Sequence, residues 1–301
     1  MKLVTLKGGG YSAVINLSRG ANCVSLRKRG LDAPILREPD YEAGIDNPYL
    51  YGMPLLFPVN RIDGGEFSLG GRKYSFGINE EKTGCYLHGV IHEHEFTEVA
   101  KTESSITAEL ISAEGEIYEG FPHAFRIRLS YSLSEDGLTV ICRVCNDSDT
   151  PMPSLIGYHT TFNARLDGNI RIRVPIKDGF ERSRERYLPT GKMKKDSVWE
   201  RLDEGSFSPL SEPISKHYLA SEGNITITGD GGSVVYENCE ALSYRLIYNG
   251  KADEYICLEP QNCLINGVNK SFSLYDKLCD MIPPHEHLEY TSKIYYTENK
   301  K

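Results

Sequence analysis

RIRLSYSLSEDGLTVICRVCN, residues 126–146, decides the fold class. Ile127, Leu129, Tyr131 and Leu133 alternate with Arg128, Ser130 and Ser132. A period of two puts the apolar set on one face of a strand and the polar set on the other. Ser134-Glu135-Asp136-Gly137 then supplies a turn, and 138–146 runs back as the second strand of a hairpin. The same grammar recurs outward in both directions. Segments 12–17, 23–28, 66–69, 72–76, 96–102 and 105–112 precede the hairpin, and 169–175, 224–228, 233–237, 243–249 and 254–258 follow it. Helical periodicity is scarce, with weak signals only around Tyr118 and in 271–279. Many short strands separated by turns predict an all-β chain, a large antiparallel β-sandwich. No linker or repeat divides residues 1–301, which read as a single domain. The charge-dense run RSRERYLPTGKMKK, 182–195, reads as a solvated loop.

Composition narrows the partners. Of 301 residues, 34 are Lys or Arg and 42 are Asp or Glu, so the formal charge is 34 − 42 = −8. An acidic chain without a basic patch argues against nucleic acid. Hydrophobic residues at 40% supply enough apolar surface to offset chain entropy, which excludes a disordered tail. No stretch reaches the roughly 20 apolar residues of a membrane helix; the nearest, 49–59, is interrupted by Pro54 and Pro58. MKLVTLKGGG lacks the apolar region of a signal peptide, so the chain reads as cytoplasmic. Eight cysteines are too sparse for a disulfide scaffold. Cys142 and Cys145 form a C-x-x-C, but on a strand that spacing points the thiols to opposite faces, so they read as reduced thiols.

Three clusters place ionisable residues among apolar neighbours and next to Gly or Pro. They are Pro58-Val59-Asn60-Arg61-Ile62 with Tyr86-Leu87-His88-Gly89, the run 153–163 containing His159, and Ile256-Cys257-Leu258-Glu259-Pro260-Gln261-Asn262. A carboxylate in the strand-like 255–258 region is partly desolvated, which raises its pKa and makes it a better base near neutral pH. A histidine supplies the matching acid.

In these segments the sequence resembles the aldose 1-epimerase (galactose mutarotase) family, and its bacterial relatives in particular. Gly52-Met53-Pro54-Leu55-Leu56-Phe57-Pro58 with Asn60-Arg61-Ile62 is similar to the family's early segment. Leu87-His88-Gly89, Gly157-Tyr158-His159-x-x-Phe162-Asn163 and Leu258-Glu259-Pro260-Gln261 resemble its later motifs, in the same order. The resemblance implies a β-supersandwich with an open sugar cleft and interconversion of the α and β anomers of an aldose. Glu259 is then the base at the C1 hydroxyl and His159 the acid at the ring oxygen. His88, Arg61, Asn60 and Gln261 are implied on the sugar, a monosaccharide that is neutral, phosphorylated or otherwise acidic. Glu259 and His159 are expected to converge across a shallow groove with one pyranose between them. Acid/base ring opening needs no cofactor and no metal. One departure stands out: where the family carries a sugar-binding aspartate, Pro213-Ile214-Ser215-Lys216-His217-Tyr218-Leu219 has no carboxylate. Lys216 or His217 could instead face an acidic sugar; Asp230, in a Gly-rich turn, is not assigned the role.

Two rivals share the fold. A non-catalytic carbohydrate-binding protein would not need both Glu259 and His159. A glycoside hydrolase would show two facing carboxylates, and only Glu259 can be placed. Bland alternatives also remain. Arg61 could pair with Asp63 or Glu66. His92-Glu93-His94 sets two imidazoles on one strand face, but no third ligand is evident, so it reads as an exposed edge. His123 is left without a role, and His285 and His287 read as surface loop. The chain is expected to be a monomer or homodimer.

Overall fold

The 126–146 hairpin forms in the computed structural model, one residue longer at most ends. Phe125–Ser134 pairs with Gly137–Asn146 in a register that sets Leu129 opposite Cys142 and Leu133 opposite Leu138. The structure describes every residue except 43, 44, 46, 167, 251–253, 270–278, 300 and 301. Residues 271–278 of the expected C-terminal helix therefore lie outside the described residues.

Two large antiparallel sheets build the molecule. The hairpin sits within an eight-stranded sheet ordered Arg171–Arg173, Ile225–Thr228, Gly232–Asn238, His287–Glu298, Gly137–Asn146, Phe125–Ser134, Ser105–Ser112 and Thr97–Lys101. The second sheet runs Pro189–Met193, Ile176–Arg182, Ser215–Ala220, Tyr244–Tyr248, Tyr255–Gln261, Gly157–Tyr158 and Leu55–Leu56, with Thr161–Asn163 also on Tyr255–Gln261. Rings interlock the layers: Phe57 meets Phe125 and Phe162 meets Tyr236, with centroids 5.2 and 5.5 Å apart. The N-terminal three-stranded sheet, Leu3–Gly8, Tyr11–Asn16 and Asn22–Lys28, joins through the Tyr131 hydroxyl, which donates to the Ala21 carbonyl at 2.7 Å. This is the expected all-β sandwich. Among the described residues no helix is long and apolar enough to cross a membrane.

Tyr255–Gln261 is buried at every position. Its even-numbered Ile256 and Leu258 enter the main core, while Cys257, Glu259 and Gln261 face the other way. Just past its end, Asn262 accepts from Ile156 N–H at 2.7 Å and donates to the Ser154 carbonyl at 2.6 Å. That fixes the entry of Gly157–Tyr158 into the sheet.

Several expectations are corrected. Residues 182–195 are not a free loop: they run from the end of Ile176–Arg182 through a turn into Pro189–Met193, a hairpin at the sheet edge. His287 opens the 12-residue strand His287–Glu298, whose inward face, Tyr290, Ser292 and Ile294, is half disguised by a serine. The segment around Tyr118 is turn, because Gly115, Gly120 and Pro122 interrupt it. The helix forms instead at Ser197–Glu204, capped by the Asp196 carboxylate, which accepts from Trp199 N–H, and ended by Gly205 at φ 80°. Eight residues are too few for a helical stripe to register in the sequence. His92 lies in the 3-10 turn Ile91–Glu93, not on a strand. Cys142 is buried and Cys145 half-buried, both free, as the strand spacing requires.

Replacing Asn262 with Ala strands the Ile156 N–H and the Ser154 carbonyl at about 1–3 kcal/mol each. Asn262→Ala is therefore expected to lower the unfolding free energy by roughly 3 kcal/mol, read from denaturant melts; a loss below about 1 kcal/mol would contradict this anchoring.

Candidate active site

The site begins with strand register. Gly157 pairs with Gln261, and Thr161 pairs with Cys257. The two pairings share one antiparallel register, so His159, between them, falls opposite Glu259. Side chains directly opposite on an antiparallel pair share a face, with Cβ atoms about 4.5–5.5 Å apart. Two residues a hundred positions apart thus become neighbours: His159 Nε2 lies 3.4 Å from Glu259 Oε1. The backbone holds this row in place, with His159 N–H donating to Pro54 O at 3.0 Å and Leu258 N–H to Thr160 O at 2.9 Å. The expectation of a sugar ring between the two groups is corrected, since at 3.4 Å they stand side by side with no room between them.

A chain of amides orients the carboxylate. Gln261 Nε2 donates to Glu259 Oε2 at 3.2 Å, and Asn60 Nδ2 donates to Gln261 Oε1 at 3.3 Å. Gly157 leaves space for this, because a Cβ there would lie 2.9 Å from Gln261 Cγ. Asn60 and Gln261, expected on a sugar, are buried and outside the lining of the cleft, joined to Glu259 through this amide chain. Glu259 Oε1 accepts no hydrogen bond among the described residues and is left to His159.

Burial dominates the electrostatics. It pushes the Glu259 carboxyl well above its ordinary range, against the opposing pull of Arg182, Gln261 and Arg61. Burial likewise lowers the His159 imidazole to about 4. His88 is driven well below its ordinary value by burial and by the neighbouring His159. A desolvated pair of this kind favours its neutral members and titrates as a unit.

The cleft above the pair has a volume of about 510 Å³. His88 is set on its wall by a left-handed backbone (φ 64°) and by donation of its N–H to Asn60 O at 3.1 Å. The following Gly89 is required there, since a Cβ would fall 2.1 Å from Phe57 O. The His88 ring meets His159 edge-on at 5.3 Å, and Tyr49 packs on both at 4.9 and 6.0 Å. Tyr248 closes the other side, 6.5 Å from His159. Arg61 lines the cleft, but its Nε and Nη2 each donate to Glu80 at 2.7 Å. Burial raises the Glu80 carboxyl, yet hydrogen bonds from Arg61 and Thr83 outweigh it and hold the pKa below its usual value. The expected alternatives for Arg61 are otherwise engaged: Asp63 pairs with Arg186 and Glu66 with Lys73.

The stretch 213–219 behaves differently from the expectation. Lys216 Nζ is held by Asp196 at 2.6 Å, and His217 is buried against Phe180 and Tyr244. The residue of this stretch that lines the cleft is Ser215, beside Arg182, Tyr187 and Glu80, none of which was singled out from the sequence. Arg182 was hidden in a run of charges that gave no sign of which one turns inward. His123 bonds Tyr74 at 3.0 Å, away from the cleft lining. A larger depression of about 750 Å³ lies beyond Pro48, lined by Tyr41, Tyr51 and His92, without the His159–Glu259 pair. For a metal, His159, Cys257 and Glu259 offer donor atoms within 4.8 Å of one another.

The sequence model of the family described as aldose 1-epimerase matches residues 2–278. The chain belongs to the aldose 1-epimerase family. A galactose mutarotase-like protein from Clostridium acetobutylicum is 30% identical, with 99% of this chain and 95% of that one covered and a TM-score of 0.91. The uncharacterised protein YphB of Escherichia coli (strain K12) is 26% identical over 222 residues, 69% of this chain and 72% of its own. A galactose 1-epimerase from Lactobacillus acidophilus NCFM superposes with a TM-score of 0.73 over 99% and 95% of the two chains; at 13% identity that likeness is one of fold. In this aldose 1-epimerase relative, the motifs at 157–163 and 258–261 lie on the strands whose register builds the pair.

The raised Glu259 pKa sets a stability test. Because the folded value lies above the unfolded one, the stability tied to the neutral carboxyl is present below the unfolded pKa and lost as pH rises through the folded one. Glu259→Gln keeps that position neutral at every pH. Its melting temperature is expected to exceed wild type by a few degrees at pH 8, and the gap is expected to close towards pH 4.5. A pH-independent difference in calorimetry would contradict the desolvated carboxyl.

Proposed function

We propose that the chain interconverts the α and β anomers of an aldose. Glu259 takes the C1 hydroxyl proton, the C1–O5 bond breaks with its electron pair going to O5, and His159 protonates O5. Rotation about C1–C2 turns the other face of the aldehyde to the O5 hydroxyl. Ring closure reverses the transfers: O5 returns its proton to His159 and O1 recovers one from Glu259, with no net proton change.

The observation that carries this reading is the contact of the two groups at 3.4 Å on one wall of an open cleft. O1 and O5 are bonded to the same carbon, so a base for one and an acid for the other must lie side by side. Burial contributes as well. Ring opening begins from the carboxylate–imidazolium form and ends at the carboxylic acid and neutral imidazole, the form that desolvation favours. His88, with its lowered pKa, stays neutral and can hydrogen-bond the sugar without competing for the proton. Tyr49 and Tyr248 offer the ring faces that a pyranose packs against.

Polarimetry or exchange NMR on freshly dissolved α-glucose, α-galactose and a wider panel tests this against a buffer blank. Glu259→Gln and His159→Asn are each expected to lower kcat by roughly 10²-fold or more. Wild-type rates equal to the blank on every sugar would leave a carbohydrate-binding protein instead.

The pH profile should be bell-shaped. Below pH about 4 the pair takes up a second proton and loses its base. Above the raised pKa of Glu259 it loses its one proton and its acid. A rate that keeps rising through pH 10 would contradict a one-proton pair.

A further inference from the structure

Among the described residues the cleft lining holds one guanidinium without an ion pair, although its charge reaches the Glu259 carboxyl. Arg61 is matched by Glu80 through two 2.7 Å bonds, and Lys216 by Asp196 at 2.6 Å. Arg182 has no carboxylate within 4 Å among the described residues. Its Nη2 donates to Ser215 O at 2.6 Å and to Ser215 Oγ at 2.7 Å. Those two bonds fix the plane of the guanidinium and leave Nε and Nη1 without a partner among the described residues. Tyr187 packs between the two arginines, 5.0 Å from Arg61 and 5.9 Å from Arg182, and keeps the heads apart.

Placement matters as much as charge. Ile176–Arg182 lies three strands from Tyr255–Gln261 in the sheet order, roughly 14 Å backbone to backbone at about 4.8 Å per strand. Both Arg182 and Glu259 line the same cleft. A pyranose whose C1 rests on the Glu259–His159 pair shares the cleft with Arg182, whose charge also reaches the Glu259 carboxyl. Arg182, Tyr187 and Ser215 also border a second pocket of about 250 Å³. Its walls carry four cations, Arg182, Arg184, Lys194 and Lys216, against two anions, Glu181 and Asp196, a balance of 4 − 2 = +2. Asp196 is held by Lys216, and Glu181 accepts from Thr190 at 2.8 Å. The pocket adjoining the cleft at Arg182 thus has a cationic lining, and a planar fork with free N–H groups is the arrangement that grips carboxylate or phosphate oxygens.

We propose that the aldose this chain acts on carries an oxyanion substituent away from C1, and that Arg182 holds it. The inference rests on the anomerase reading above and names its substrate class. It assigns to Arg182 the role that Lys216 and His217 were expected to fill. A neutral sugar would leave the Arg182 fork partly desolvated and unpaired, which is costly.

The test compares kcat/KM for glucose, glucuronate and glucose 6-phosphate, and for galactose and galacturonate, in wild type, Arg182→Gln and Arg182→Lys, by exchange NMR. Wild type is expected to favour at least one anionic sugar over its neutral parent by tenfold or more. Arg182→Gln should reduce that ratio at least tenfold, chiefly through KM, and Arg182→Lys should restore part of it. Preference for the carboxylate or for the phosphate identifies the oxyanion. Equal or better use of the neutral parents by wild type would overturn the proposal. So would equal losses on both classes in Arg182→Gln together with a displaced alkaline limb, which would make Arg182 a tuner of Glu259. A second arm separates this inference from the anomerase reading: calorimetric titration of the same sugars into Glu259→Gln protein needs no turnover. Tighter binding of the anionic sugars there, lost in the Glu259→Gln/Arg182→Gln double variant, upholds the oxyanion site even if wild type anomerises nothing. Absence of that preference overturns it.

Discussion

One strand register underlies the site. The pairing of Gly157 with Gln261 and of Thr161 with Cys257 leaves His159 no place but opposite Glu259. A slip of one residue would turn every side chain of Tyr255–Gln261 over, sending Glu259 into the core and Ile256 into the cleft. The fold resists such a slip with the core face of Ile256 and Leu258 on one side and the Asn262 carboxamide at the strand end. The stability of the sandwich and the geometry of the pair therefore have the same origin. Core packing fixes register, and register fixes the separation of the two groups.

The same arrangement sets their proton affinity. Glu259 is wholly buried, with one oxygen held by Gln261 and the other, without a hydrogen bond among the described residues, 3.4 Å from His159. Desolvation then keeps the pair near neutrality, and Arg182 and Arg61 moderate the effect on the carboxyl. In the proposed reaction an acid and a base trade roles, and such closeness serves them, since the two groups stand 3.4 Å apart. The cost is a buried carboxyl that the fold would hold more easily as an amide. That conflict between stability and function is common at active sites.

Local features were legible and long-range ones were not. Segments 66–69 and 105–112 were read to the residue because alternation and turn residues mark them. His287–Glu298 was missed because Ser292 occupies an inward position and the outward face mixes Thr, Lys and Tyr. The 182–195 hairpin was missed because its charges look solvated in isolation. In the fold, Arg182 turns to Ser215 and Arg186 to Asp63 and to the Thr83 carbonyl. Glu259, His159, His88 and Arg61 were singled out by motif, and all four line the cleft. Asn60 and Gln261 come from the same motifs but are buried outside the cleft lining, a difference of depth that a one-dimensional pattern does not carry.

Glu259 and His159 are proposed to work as one unit, and a double-variant cycle on the anomerisation rate tests this most directly. If it is right, the Glu259→Gln/His159→Asn protein is no slower than either single variant, because removing one member already disables the other. Losses that multiply would show two groups acting independently and would contradict it.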